Sequence, residues 1–347
     1  MKSSFQSALY PISQALPNIW VFNYLIASAH FVKANGRFPR KRNAVNATIN
    51  DFIFHRMIDN RWSLLQQLCV DKQYAKIFAA RAADVNVART IAVFSLEYNP
   101  SPEDFAAWLS PHIGRRAVAK STHGFGTALF LDRNVTESDV YALYVDANRN
   151  FFYAARETLY KALERKIIIE ENVSATGEVN DYKFFCVKGN VIYCQVDTNR
   201  FDNPKRALFT VPDFRMVPVK MGLQENPDHV ERPAQLKEMV RVASDLSRDF
   251  DFVRIDLYAV DDRIYFGGYA FTPGAACDHF SDENFAIVFQ RTVGSLLRNR
   301  ASDGAIVYLA IAGKTLGVPA VFESSARLRE LPYRRCRLRR FFPYTPL

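Results

Sequence analysis

The fold of this chain is decided by one stretch, Phe252-Val-Arg-Ile-Asp-Leu-Tyr-Ala-Val-Asp-Asp-Arg-Ile-Tyr-Phe-Gly-Gly-Tyr-Ala-Phe-Thr-Pro-Gly274. Polar and apolar residues alternate along it, which predicts a strand, a tight turn and a second strand. Arg254 and Asp256 fall on one face of the first strand, and the apolar residues between them face a core. A guanidinium and a carboxylate held side by side can serve an anion and its metal ion. The same pattern also fits an ordinary half-buried hairpin with a structural ion pair.

Length and composition are those of a soluble globular protein with two or three core-bearing units, since the chain has 347 residues, 49% apolar and 23% charged. Disordered and fibrous classes are excluded. The longest apolar candidate, residues 19–32, is too short to span a bilayer and lacks the pattern of a signal peptide. The five cysteines have no metal-binding spacing. We therefore expect reduced, mostly buried thiols in a cytoplasmic protein.

The net charge of +9 is unevenly distributed. From Arg327 onward seven arginines stand against one glutamate, a local balance of +6, which leaves +3 for the rest of the chain. This tail could contact an anionic membrane surface or a polyanion. It could equally pack on the body of the protein, because arginine stems also cover apolar surface. A nucleic-acid partner is disfavoured, since no aromatic and basic platform accompanies the charge.

Further elements follow from hydrophobic periodicity and turn signals. Ser101 and Pro102 are typical of a helix start. Strands are expected over 116–120, 127–131, 166–171, 181–187 and 191–197, and helices over 53–83, 153–165 and 233–249. Between the first two strands lies a glycine loop with Lys120 at its mouth, an arrangement that suits phosphate because backbone N–H groups can approach the oxygens.

The order of these elements resembles the ATP-grasp enzymes, and most closely the TupA-like branch associated with teichuronopeptide and other polysaccharide biosynthesis. The resemblance spans roughly residues 45–290. Its matching blocks are Asp71-Lys72, Val118-Ala-Lys-Ser-Thr-His-Gly-Phe-Gly126, Ile168-Ile-Glu-Glu171, Asp181-Tyr-Lys-Phe-Phe185 through Gln195-Val-Asp197 and Arg200-Phe201, and Phe252-Val-Arg-Ile-Asp-Leu-Tyr258.

The resemblance implies an α+β fold in which two subdomains grip ATP. We expect a mostly helical region over 1–85, a small lid subdomain over 86–165, a C-terminal subdomain over 166–290, and an extension with the arginine-rich tail over 291–347. The implied reaction is ATP-dependent ligation of a carboxylate, on a small molecule, saccharide or amino acid, to an amine. It passes through an acylphosphate, and its cofactors are ATP and Mg²⁺.

The resemblance also implies roles for individual residues. Arg254 would stabilise negative charge during phosphoryl transfer, and Asp256 would bind Mg²⁺. The nucleotide would be held by Lys120, Thr122, His123, Gly124, Gly126, Glu170, Glu171 and Lys183, with the glycine loop over the phosphates and the two glutamates at the adenine and ribose end. Substrate contacts are expected from Gln195, Asp197 and Arg200.

The chain departs from the family at the metal site. Family members place a glutamate where this chain has Gly268 and a polar residue where it has Ala270. A two-residue turn at Asp261 and Asp262 would pair Asp256 with Gly267, whereas a bulge would bring Gly268 opposite it. We therefore retain two alternatives to the ligase: a non-catalytic protein that binds a nucleotide or a partner, and a protein whose basic tail binds nucleic acid or membranes.

Overall fold

The structure, a computed structural model, describes residues 4–298 except 125–127, 175–178, 200–202 and 223, with side chains from residue 9 onward. Gly126, Arg200 and the arginine-rich tail from Arg327 lie outside the described residues. Nothing in the described part of the chain is a helix long and apolar enough to cross a membrane. The four cysteines it contains are free thiols, and three of them are buried.

The helices begin mostly at residues whose side chains cap the first turn. Ser101 accepts a hydrogen bond from the backbone N–H of Asp104, and Pro102 is the first helical residue, as the sequence predicted. The helices are α1 Ser4–Ala15, α2 Trp20–Asn35, α3 Ile49–Met57, α4 Leu64–Val70, α5 Lys72–Ala82, α6 Pro102–Leu109, α7 Glu137–Ala147, α8 Phe152–Ala155, α9 Leu236–Ser247 and α10 Glu283–Arg298. Short 3₁₀ turns cover Ser110–His112, Thr158–Tyr160 and Pro273–Ala276.

The described strands form two antiparallel sheets. Their bounds are β1 Thr90–Ser95, β2 Ala117–Ser121, β3 Ala128–Phe130, β4 Lys166–Glu171, β5 Asp181–Val187, β6 Asn190–Thr198, β7 Lys205–Thr210, β8 Met216–Val217, β9 Val253–Val260 and β10 Arg263–Ala270. The four-stranded sheet has the order β1-β4-β2-β3, and the six-stranded sheet has the order β10-β9-β5-β6-β7-β8.

The division between the two sheets falls after Glu171, because β4 pairs with β1 and β2; the subdomain boundary expected at residue 166 stays a prediction. Two expected helices are corrected. The helix expected over 53–83 is divided into α3, α4 and α5. The expected helix over 153–165 is replaced by the short α8 and a 3₁₀ turn. The reason is Arg156, which adopts a left-handed φ of 59° and ends α8.

The hairpin β9–β10 combines the two register alternatives. Its turn has two residues, because Val260 pairs with Arg263, yet the register shifts between Phe266 and Gly268. Gly267 is the extra residue of this bulge, and Gly268 lies opposite Asp256.

The packing of the six-stranded sheet decides where polar side chains can lie. One face is covered by α4, α5 and α9 in a continuous apolar core. The other face is covered by α3 and α10 at one end, where Phe185, Leu208 and Phe252 are buried. The rest of that second face carries polar side chains. A separate core joins the four-stranded sheet to α6 and α7.

Candidate nucleotide site on two sheets

The polar part of the second face of the six-stranded sheet brings together five of the predicted site residues. Lys183 is the register partner of both Gln195 and Asp256 on the neighbouring strands. Arg254 lies two residues before Asp256 on β9, and Asp197 lies two residues after Gln195 on β6, so both are on the same face. Because side chains at alternate positions share a face, the register places these groups side by side. We call these residues the polar face.

Arg254 and Asp256 form a bidentate ion pair. Nε of Arg254 donates to Oδ1 of Asp256 at 2.7 Å, and Nη2 donates to Oδ2 at 2.8 Å. Burial would lower the pKa of Arg254, but the facing Asp256 raises it above its ordinary value. Both side chains are mostly buried, and both oxygens of Asp256 are engaged by the guanidinium.

A second ion network occupies the neighbouring strands. Lys183 contacts the carboxylate of Asp181, and its Nζ lies 3.2 Å from Oδ2 of Asp197. Asp197 also accepts from Nε2 of Gln195 at 2.9 Å and from Nε of Arg206 at 2.7 Å. Burial would raise the pKa of Asp197, but Lys183 and Arg206 hold it well below its usual range. Asp197 is therefore ionised, and Lys183 lies between two carboxylates.

The residues beside Asp256 do not fit a Mg²⁺ site of the family type. Mg²⁺ requires oxygen ligands in nearly octahedral geometry, usually with one or two carboxylates from the protein. Gly268 stands opposite Asp256 and Ala270 opposite Arg254, and neither contributes an oxygen from its side chain. Within the described ranges, no group of three or more His, Cys, Asp or Glu side chains is placed to hold a metal ion.

Nearby carboxylates do not replace the missing ligand. Asp278 is paired with Nη1 of Arg206 at 3.1 Å. Glu283 is paired with Arg37 and Arg40. A side chain at position 268 would nevertheless be accommodated, because no atom lies within 4 Å of where its Cβ would stand.

On the four-stranded sheet, Glu170 is held between two lysines. Lys120 on β2 contacts Oε1, and Nζ of Lys76 on α5 lies 2.7 Å from Oε2. Lys76 also donates to the carbonyl of Ala88 and to the hydroxyl of Thr90. Burial would raise the pKa of Glu170, but Lys120 and Lys76 outweigh it and hold the pKa below its ordinary value. Two cations and one carboxylate leave a net positive charge at this position.

Glu171 points to the other side of β4. Its carboxylate is exposed and accepts from Nε of Arg89 at 2.8 Å. Adjacent strand residues face opposite ways, so only one of the two predicted glutamates can lie beside Lys120.

The described part of the glycine loop is packed into the protein. Thr122 is buried and donates to Oδ2 of Asp71 at 2.9 Å. A Cβ on Gly124 would overlap the ring of Phe151, at 2.1 Å from its nearest atom, so that only glycine fits. Lys72 donates to the carbonyl oxygens of Ser121 and Gly124. Thr122 and Gly124 are therefore held by contacts within the protein.

His123 is a buried neutral histidine. Its Nδ1 accepts from the backbone N–H of Lys166 at 3.4 Å, and its Nε2 lies 3.3 Å from the carbonyl of Arg149. Burial, with the nearby Lys72, lowers its pKa to about 4. These contacts define one tautomer, with the proton on Nε2.

Three residues of the site had no role assigned from the sequence. Lys72 was part of the family resemblance, but its contacts with the glycine loop join residues about 50 positions apart and are visible only in the folded structure. Lys76 lies four residues after Lys72 on the same face of α5, and this spacing could have indicated that Lys76 also faces the site. Arg206 lies on β7, a strand the sequence pattern did not reveal.

A cavity of about 430 Å³ lies elsewhere and contains none of the predicted site residues. It is lined by polar residues of α1, by Glu97 after β1, by Asn148 and Asn150 after α7, and by residues 161–165.

Two antiparallel sheets with lysines and arginines on both agree with the ATP-grasp fold expected from the sequence. The chain belongs to the TupA-like ATPgrasp family, whose profile matches residues 65–293. The α+β ATP-grasp fold predicted from the sequence is therefore confirmed. No curated protein sequence matches the chain.

Solved structures resembling the chain include three ligases. The D-alanine–D-alanine ligase from Bacillus anthracis is 12% identical, with a TM-score of 0.36 over 70% of this chain and 68% of its own. The VanG D-Ala:D-Ser ligase from Enterococcus faecalis is 14% identical, with a TM-score of 0.38 over 66% and 61%. The ATP-grasp ligase PsnB with its minimal precursor is 10% identical, with a TM-score of 0.36 over 67% and 63%. The chain spans 61–68% of these neighbours' lengths, and its family assignment rests on the profile match.

Proposed function

We propose that this chain binds ATP between its two sheets and does not transfer the γ-phosphate. The observation that carries this proposal is the register of the hairpin, in which Asp256 faces Gly268. Both oxygens of Asp256 are engaged by Arg254. The position opposite it supplies no second carboxylate. Phosphoryl transfer needs charge neutralisation around the γ-phosphate, and the family provides it with metal ions that these residues do not fit.

Cations on both sheets support binding of the nucleotide itself. Lys120 can exchange its contact with Glu170 for a phosphate oxygen, because Lys76 remains to neutralise the carboxylate. Lys183 and Arg254 lie on the opposite sheet, where each can exchange a carboxylate partner for a phosphate oxygen. Charge-assisted hydrogen bonds from lysine and arginine are strong contacts for phosphate.

The experiment measures ATP binding and ADP release separately. Calorimetric titration of the full chain with ATP should show binding, both with Mg²⁺ and with excess chelator. No ADP should appear over a panel of carboxylates and amines. Lys120→Met should weaken ATP binding roughly tenfold or more, because a charge-assisted contact is lost.

Position 268 provides the matched comparison. Gly268→Glu restores the carboxylate of the family, and ATP binding should become stronger when Mg²⁺ is present. Gly268→Ala fills the same space without a ligand and should behave like the wild type. ADP release by the wild type that requires Mg²⁺, a carboxylate and an amine would contradict the proposal, as would a failure to bind ATP.

An ATP-dependent carboxylate–amine ligase is the second candidate, and the placement of Arg254 on the polar face favours it. In that reaction a carboxylate oxygen attacks the γ-phosphate to give an acylphosphate and ADP, and an amine then displaces phosphate to form an amide. The carboxylate would belong to a saccharide or an amino acid in polysaccharide or metabolite biosynthesis. If Arg254→Ala left amide formation intact, this candidate would be wrong.

Cellular location and further partners belong to the same proposal. We place the protein in the cytoplasm, on the basis of its free, mostly buried thiols. Contact of the arginine-rich tail with a membrane or polyanion stays a prediction, and we disfavour a nucleic-acid partner.

A further inference from the structure

The first two helices expose a cluster of large apolar side chains. We call Ile12, Ile19, Trp20, Val21 and Leu25 the hairpin face, because they surround the turn between α1 and α2. Each has between 51% and 59% of its surface exposed. Scattered exposed apolar residues are common in soluble proteins, but here five lie within residues 12–25, on both sides of one turn.

Trp20, Val21 and Leu25 belong to α2, whose other side is already packed. Ile26, Ala27 and Phe31 are buried toward the core. Trp20 stacks on Tyr24 with ring centroids 5.2 Å apart, so it is held in place although it is exposed. The helix has one charged residue, Lys33, near its C-terminal end. The large exposed apolar side chains of α2 therefore lie in its first two turns.

The turn beneath this face is fixed to the body of the protein. The buried guanidinium of Arg156 donates to Oγ of Ser13 at 2.8 Å, to the carbonyl of Leu16 at 2.9 Å and to Oδ1 of Asn23 at 3.1 Å. A docked turn presents its apolar side chains as a stable surface.

The charge of the N-terminal segment selects the partner of the hairpin face. Residues 1–50 contain six lysines and arginines and no aspartate or glutamate. Lys33, Lys41 and Arg42 are exposed, whereas Arg37 and Arg40 pair with Asp51 and Glu283. Since the whole chain carries +9 and the tail from Arg327 carries +6, residues 51–326 carry −3. The exposed cations lie at and beyond the C-terminal end of α2, and a helix lying along a surface would bring them to it together with the apolar residues at its start.

We propose that the hairpin face binds an anionic lipid bilayer, lying in the headgroup region parallel to the surface. Trp and Tyr favour this interface, apolar side chains insert shallowly, and nearby basic residues attract anionic headgroups. At 1.5 Å per residue, the 16 residues of α2 would extend about 24 Å along the membrane. A nucleic acid would use the charge but leave the apolar cluster uncovered.

The test uses the full chain and sedimentation with lipid vesicles. The chain should bind vesicles containing about one third phosphatidylglycerol at least tenfold more tightly than pure phosphatidylcholine vesicles. The double variant Trp20→Ser/Leu25→Ser should weaken binding about tenfold or more, because it removes inserting side chains. Lys41→Glu/Arg42→Glu should reduce the preference for anionic vesicles by roughly fivefold per residue.

A matched control is Leu64→Ser/Tyr98→Ser, which removes an exposed leucine and an exposed aromatic from other surfaces. This variant should bind vesicles as the wild type does. If it loses as much vesicle binding as Trp20→Ser/Leu25→Ser, the proposal is overturned. Circular dichroism melting verifies that all variants are folded.

Fluorescence separates the hairpin face from the arginine-rich tail. Lipids brominated on their acyl chains should quench tryptophan emission of the wild type, and Trp20→Phe should abolish most of this quenching. Binding without Trp20-dependent quenching would assign the contact to the tail and overturn the proposal. Self-association that Trp20→Ser/Leu25→Ser abolishes, in a chain that binds no vesicles, would instead identify an interface between copies.

Discussion

At the scale of single residues, two adjacent glycines have different reasons to be there. A Cβ on Gly267 would lie 2.8 Å from the ring of Tyr258 and 3.0 Å from the backbone oxygen of Asp256. The neighbouring Gly268 has open space around the same position. The bulge thus requires glycine at its extra residue, whereas the glycine that removes the family carboxylate is required by no packing contact.

This difference predicts opposite effects on stability. Gly267→Ala should lower the free energy of unfolding by about 1–3 kcal/mol, because the added methyl forces the bulge to shift. Gly268→Ala should leave it unchanged or raise it by up to about 1 kcal/mol, since the unfolded chain loses freedom. Urea unfolding of both variants measures the difference. Equal destabilisation would show that the register of the bulge is wrong.

His123 makes stability depend on pH. Its pKa is about 4 in the folded protein against 6.5 ordinarily, so between these values the unfolded chain binds more protons. The contribution of neutral His123 to the free energy of unfolding is complete above pH 6.5. It is lost as the pH falls to about 4, and the loss amounts to about 3 kcal/mol.

The variant His123→Asn should flatten this part of the curve, because asparagine cannot be protonated there. The measurement is urea unfolding of wild type and variant at several pH values. Exposed His229→Asn is the control and should follow the wild type. If His123→Asn loses as much stability on acidification as the wild type does, the buried neutral histidine is not the cause.

At the scale of elements, strands with period-two patterns were predictable and those without were not. The strand over 181–187 and the hairpin at 253–270 have the predicted positions, because polar and apolar faces alternate or all positions are buried. Strands β1, β7 and β8 were not predicted, and β8 has only two residues and follows no pattern of its own. Helix α10 was not predicted either, and it continues past residue 290, where the resemblance ends.

Arg156 decides the arrangement of several elements. It ends α8 and binds the turn between α1 and α2 through five hydrogen bonds. In the sequence it is one arginine in an apparently helical segment, because its left-handed backbone and its partners more than 130 residues away leave no local signal.

Replacing Arg156 with alanine should release the N-terminal helices. The buried oxygens of Ser13, Leu16 and Asn23 would lose their donor, at a cost on the order of 3–5 kcal/mol. Hydrogen exchange should become faster across residues 9–35 while the six-stranded sheet remains protected. Arg61→Ala is the control, since that exposed side chain pairs with Asp59. Unchanged exchange in α1 and α2 would contradict the assigned role.

At the scale of the whole molecule, the sequence predicted which strands carry the site but not how its charges pair. Alternation predicted that Arg254 lies beside Asp256. Glu170 and Glu171 were both expected at the nucleotide, but they lie on opposite sides of β4. The partners that determine charge states came from distant elements: Lys76 from α5 and Arg206 from β7. Local periodicity has no information about such contacts, because they depend on how helices and sheets pack.

The open space at Gly268 also affects how the protein should be assayed. Position 268 carries no side chain, and no atom lies within 4 Å of where its Cβ would stand. We expect formate or acetate from solution to enter this space and to supply carboxylate oxygens beside Asp256. Buffer composition is therefore an experimental variable for this protein: a preparation in acetate and one in a carboxylate-free buffer can differ in apparent Mg²⁺ dependence although their amino-acid sequence is identical.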